Sequence, residues 1–181
     1  MQNFVKNIIT DVRIDLTDEF YRNFERKAFF DKAWESTKIP NRKGSLMMRT
    51  GKLRRSIKSK QSNDQITWSS SLPYASLQNE GGEVIVTEKM KRYFWYMYYQ
   101  ATNAIRYDVK TKTAVLDKRG MKLSKEAGIF KALALQKVGS KMKIKQRQFI
   151  GYHPQVRGRI EKVLDKNMQE LNEQIKKMLK P

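Results

Sequence analysis

Few residues of this chain have the types and spacing of a catalytic centre. Asp15 and Glu19 stand four residues apart, as do Asp18 and Arg22, so each pair would share one face of a helix. Two carboxylates so placed could divide acid and base work between them. Such pairs far more often form solvated surface contacts worth about 0.3–0.5 kcal/mol, and solvated contacts are expected here. Any Ser–His–Asp arrangement would have to use His153, the single histidine, and no Gly-x-Ser-x-Gly turn accompanies it. His153 precedes Pro154 at an expected helix start, where a turn or capping role follows. Cysteine is absent, which excludes disulfides, thiolate ligands and thiol nucleophiles. One histidine leaves no His cluster for zinc. Gly81-Gly82 lacks the Lys-Ser/Thr that completes a phosphate-binding loop. Neither catalysis nor a metal or cofactor is expected.

The charge is more informative than any single residue. The chain has 181 residues and a net charge of +20. Residues 36–62 hold nine basic groups (Lys38, Arg42, Lys43, Arg49, Lys52, Arg54, Arg55, Lys58, Lys60) and no acid. Residues 1–35 and 163–181 are nearly balanced. A block of cations without acids repels itself, so a polyanionic neighbour is expected, either nucleic acid or an acidic protein surface. Eight Tyr, eight Phe and three Trp supply bulk for a packed core. No apolar run approaches the roughly 20 residues that cross a bilayer, so no membrane partner is expected. The first residues mix Lys6, Asp11 and Arg13 with apolar residues, unlike a signal peptide, and synthesis in a cytosol is expected.

The elements that must position these groups can be read from periodicity. Val5, Ile9, Val12, Leu16, Phe20 and Phe24 predict a helix over 3–27, with a bend near Thr17, where Thr17-Asp18-Glu19 resembles a new N-cap. Phe29, Phe30 and Trp34 should cover one edge of the core, and 36–49 should be loop. Thr50 is expected to cap a short turn that carries Leu53. From Ser56 the period becomes two, and the alternation through Ile57, Ser59, Gln61, Ile66 and Trp68 predicts a hairpin over 56–70. Tyr74, Leu77 and Gln78 fit one helical turn stopped by Gly81-Gly82, and 83–86 a strand. A helix capped by Thr87 is predicted over 87–105, with an aromatic run, Tyr93 to Tyr99, that is apolar nearly all round. A loose basic hairpin is expected over 106–122, through Tyr107-Asp108-Val109 and Ala114-Val115-Leu116. A helix should follow from Ser124 to Leu135, then a strand over 141–149. The final helix, 154–180, carries a stripe of Val156, Ile160, Val163, Leu164, Met168, Leu171, Ile175, Met178 and Leu179. The expected fold is α+β: a small, mainly antiparallel sheet packed against long N- and C-terminal helices.

Three short segments give this plan its identity: Thr50-Gly51-Lys52-Leu53-Arg54-Arg55-Ser56-Ile57, Pro73-Tyr74-Ala75-Ser76-Leu77-Gln78-Asn79-Glu80-Gly81-Gly82, and Arg147-Gln148-Phe149-Ile150-Gly151. Each joins a turn-forming Gly to a hydrophobic anchor. In their order, between a long first helix and a long last one, they resemble the phage virion morphogenesis family, which comprises tail-completion or head–tail joining proteins. The chain departs from the family pattern at Gln78, where a His is frequent, and in the length of 87–140, read as a helical insertion in a single domain of 1–181. The resemblance implies a structural protein of the virion neck or tail, made in the host bacterial cytoplasm. It also implies homo-oligomeric rings, expected to be sixfold, between connector or portal-side neck proteins and the tail terminator or tube. Partner contacts are expected on Arg49, Lys52, Arg54, Arg55, Lys58 and Lys60, and on the aromatic arm at Tyr93, Trp95, Tyr96 and Tyr99. Thr50, Gly51, Leu53, Tyr74, Gly81, Gly82, Phe149 and Gly151 are expected to be structural. The alternative is non-specific DNA binding by the basic loop and hairpin, which would also suit contact with packaged DNA.

Overall fold

A computed structural model describes residues 2–37, 44–62, 65–105, 108, 110, 113–114 and 117–179. The chain divides into two units: residues 1–35, 43–80 and 146–181 form the first, residues 36–42 and 81–145 the second. The class is α+β, with long helices near both ends of the sequence. Instead of one small sheet, the described strands form three separate two-stranded antiparallel ladders. The strands are short, and the third ladder lies in the second unit, so no ladder extends another.

In the first unit, α1 (Gln2–Arg26) is one unbroken helix that buries Val12, Leu16, Phe20 and Phe24. The expected bend at Thr17 is absent because its hydroxyl is used sideways. It donates to the Arg13 carbonyl at 2.6 Å and accepts from the Trp68 indole at 2.9 Å, rather than capping a new helix. Lys27, at φ 57°, ends the helix in the left-handed region. The chain then turns tightly through β1 (Ala28–Phe29) and β2 (Lys32–Ala33), which sends Phe29 and Phe30 into the core. After α2 (Lys52–Ser56), β3 (Ile57–Gln61) and β4 (Ile66–Ser70) pair from Ile57↔Ser70 to Gln61↔Ile66. Their alternation turns Ile57, Ile66 and Trp68 inward and Lys58, Lys60, Thr67 and Ser69 outward. A short helix, α3 (Ala75–Glu80), follows.

The last helix, α6 (Pro154–Met178), is capped by His153, whose Nδ1 accepts from the Gln155 N–H. The imidazole also stacks on Phe30, 4.5 Å between ring centres. The long apolar stripe read from the sequence divides on this helix. Val156, Ile160 and Val163 pack on the cluster built from Val12, Leu16, Phe20, Phe29 and Phe30. Leu164, Met168, Ile175, Met178 and Leu179 remain exposed.

In the second unit, β5 (Gly82–Ile85) pairs with β6 (Lys141–Ile144). The expected strand 141–149 stops at Ile144, because residues 146–149 make their hydrogen bonds elsewhere, as described below. Between these strands lie α4 (Glu88–Asn103) and α5 (Lys118–Ala134), which meet through Phe94, Phe130 and Ala134. Thr87 caps α4 as its position suggests, accepting from the Met90 N–H at 3.2 Å. α5 begins six residues earlier than Ser124, because Asp117 provides the capping carboxylate for the Gly120 N–H. Tyr107, Val109, Val115 and Leu116 of the expected basic hairpin lie outside the described residues, as do residues 38–43 of the expected loop.

Candidate functional site

The three short segments meet in the first unit. Gly51, rather than Thr50, takes the N-cap position of α2, at φ 68°. A Cβ there would come within 2.7 Å of the Arg55 guanidinium, which folds back to donate to the Thr50 carbonyl at 2.9 Å. The turn points Leu53 inward and starts β3 at Ile57, and both are buried. In the second segment the buried residue is Ala75; Tyr74 is exposed. Gly81, at φ 77°, ends α3 and Gly82 opens β5. In the third segment Phe149 is 2% exposed, its ring 5.1 Å from that of Phe24. Phe24, Leu53, Ile57, Ala75 and Phe149 form one cluster.

Asn79 locks the second segment to the third. Its side-chain oxygen accepts from the Phe149 and Ile150 N–H groups at 2.9 and 3.0 Å. The Arg147 N–H donates to the Gln78 carbonyl at 2.7 Å, and the Trp34 indole donates to the Gln148 carbonyl at 2.7 Å. Backbone groups that a longer β6 would have paired are thus satisfied by a side chain and two loops. Burial pushes the Arg147 guanidinium below its ordinary value. Asn79 drew no attention as a sequence residue; its only signal is its place two residues before Gly81.

The acidic residues of α1 are not the solvated pairs their spacing suggests. Glu19 is 1% exposed and pairs with both Arg26 and Arg159. Arg159 also donates to both oxygens of Asp15, at 2.9 and 3.0 Å. Asn23 donates to the Phe149 carbonyl and accepts from the Phe30 N–H and Arg26. Further along, buried Asn167 donates to Asp11. A polar seam therefore joins α1 to α6. Arg159 lies 140 residues from Glu19, so nothing local in the sequence signals the pairing. This arrangement fixes two helices; every polar contact given for it is structural.

The expected partner residues fall into two groups. In the first unit, Arg49, Lys52, Arg55, Lys58 and Lys60 are exposed. Arg54 is different: it pairs with Glu25 at 2.9 Å and lies 5.4 Å over the Tyr21 ring. In the second unit, Tyr93, Tyr96 and Tyr99 are exposed, while Trp95 is half-buried, stacked on Tyr99 and edge-on to Tyr98. Far from being buried all round, α4 is one-sided. Phe94 and Ala101 are buried and Met90 and Met97 half-buried, and the tyrosines stand away from them.

Among the described residues no group of His, Asp or Glu is placed to hold a metal ion, and no helix is long and apolar enough to cross a membrane. No family model, no curated protein and no solved structure matches this chain.

Proposed function

We propose that this chain is a structural virion protein that completes the neck or tail end of a bacteriophage and joins tail to head, acting through surfaces rather than a catalytic centre. The observation that carries the reading is the meeting of the three family-like segments. Leu53 and Ile57, Ala75 and Asn79, and Phe149 and Ile150 are distant in sequence yet build one buried junction. A shared core of this kind is the physical reason such segments would recur together. Copies joined through unlike surfaces close into a ring when the contact angle permits, and the resemblance implies six. The basic rim of Lys52, Arg55, Lys58 and Lys60 is the proposed contact with connector-side or tail-side partners. The test is in vitro joining of tails to heads by Lys58→Glu with Lys60→Glu. These side chains are exposed, so the variant should fold normally and fail to join; normal joining would remove this face from the interface. Arg54 is a poorer probe, because its pairing with Glu25 and Tyr21 mixes folding with assembly.

Non-specific DNA binding is the second reading, favoured by one observation. Lys58 and Lys60 share the outer face of the hairpin with their cross-strand partners Ser69 and Thr67, and none of these four is acidic. Such a face can follow a phosphate backbone. Affinity for duplex DNA that falls steeply with salt would support it; indifference to DNA at physiological salt would reject it.

A further inference from the structure

The C-terminal half of α6 carries an apolar stripe built for a second helix. Leu164, Met168, Leu171, Ile175 and Met178 follow one another at steps of four, three, four and three residues. All but half-buried Leu171 are exposed, Met178 at 76% and the adjoining Leu179 at 77%. The face that α6 turns to α1 is a different one, marked by Val156, Ile160, Val163 and Asn167. A repeat averaging 3.5 residues keeps a seam of side chains facing a partner helix, whose side chains fit between them.

Charge indicates which helix. Two copies of a chain with net charge +20 repel each other. Residues 163–181 are one of its two nearly neutral stretches, with four basic and three acidic groups. The other is residues 1–35, where α1 already buries most of its apolar stripe. The stripe is therefore exposed where self-repulsion is weakest. Beside it stand Asn172 and Gln174, uncharged, so close approach sets no like charges together. Along the helix, Asp165, Glu170 and Glu173 precede Lys176 and Lys177. Antiparallel copies would set the acidic stretch of one against the basic stretch of the other, and would oppose their helix dipoles favourably.

We propose that two copies of this chain pair antiparallel through the exposed stripe of α6, residues 164–179. The inference stands whether or not the virion reading holds. The test is sedimentation equilibrium of the full chain in high salt, over about 1–100 µM, where a modest interface fills. The expected mass is twice 21.4 kDa, and Met168→Glu with Ile175→Glu should return it to 21.4 kDa. That variant lowers the net positive charge, so its loss of pairing could not come from added repulsion. Both positions are exposed, and an unchanged circular dichroism spectrum and unfolding midpoint would confirm an intact fold. A wild-type chain that stays at 21.4 kDa throughout overturns the proposal. A larger mass unchanged in the variant reports assembly through another surface and also overturns it. So would a monomer that binds phosphatidylglycerol vesicles through this stripe. Direction is read from Met178→Cys in this cysteine-free chain. Antiparallel copies centred on the stripe hold the two positions at least about 15 Å apart, at 1.5 Å per residue, and should not form a disulfide. Ready cross-linking would mean parallel helices and overturn the antiparallel arrangement.

Discussion

At the scale of single residues, stability is concentrated where a side chain does the work of backbone. Asn79 accepts two N–H groups of the third segment, so Asn79→Ala strands both donors in a half-buried place. We expect a loss of about 1–3 kcal/mol, read as a lower urea midpoint with an unchanged slope. Phe149→Ala opens a hole beside Phe24 and should cost about 3–5 kcal/mol; a near-zero change would mean the ring is not a core group. Glu19→Ala leaves Arg26 and Arg159 without the carboxylate between them, and about 3–5 kcal/mol is expected for breaking such a buried set. Tyr96→Ser, on the exposed face of α4, should leave the midpoint within about 0.5 kcal/mol of wild type.

At the scale of elements, the organising fact is that local order and distant pairing were separated. α1, the β3–β4 hairpin, α3, α4 and α6 follow from periodicity and capping, because those signals lie within a few residues of one another. The ends of elements were less legible. Asp117 starts α5 early, and Gln78 and Asn79 draw residues 147–150 away from strand pairing, in each case through a hydrogen bond that no periodic pattern encodes. Because the first and third segments share one cluster, Leu53→Ala and Phe149→Ala should not add. A double-mutant cycle should return a coupling of about 0.5–3 kcal/mol. Strict additivity would mean that the two segments are energetically independent.

At the scale of the whole molecule, a net charge of +20 dominates behaviour in solution. Light scattering at low and high salt, with and without duplex DNA, separates the readings. Assembly through protein surfaces predicts a mass that ignores DNA at physiological salt. DNA binding predicts DNA-dependent association lost as salt rises, with Lys58→Gln and Lys60→Gln each lowering the salt slope by about 0.9. The second unit holds many of the remaining cations and the exposed tyrosines, and is enclosed in sequence between Glu80 and Gln146 of the first.

The sequence by itself determined the helical and hairpin elements, the α+β class and the site of the cationic block, since each depends on neighbours at two- to four-residue spacing. It also supplied the three segments, though not their meeting. Only the tertiary structure decided that Glu19 is buried between two arginines, that Arg54 is tied to Glu25, and that Asn79 holds the third segment. The same holds for α6. Its nine apolar residues read as one stripe, but whether each meets α1 or water depends on where α1 stops covering it, a property of two helices rather than of one.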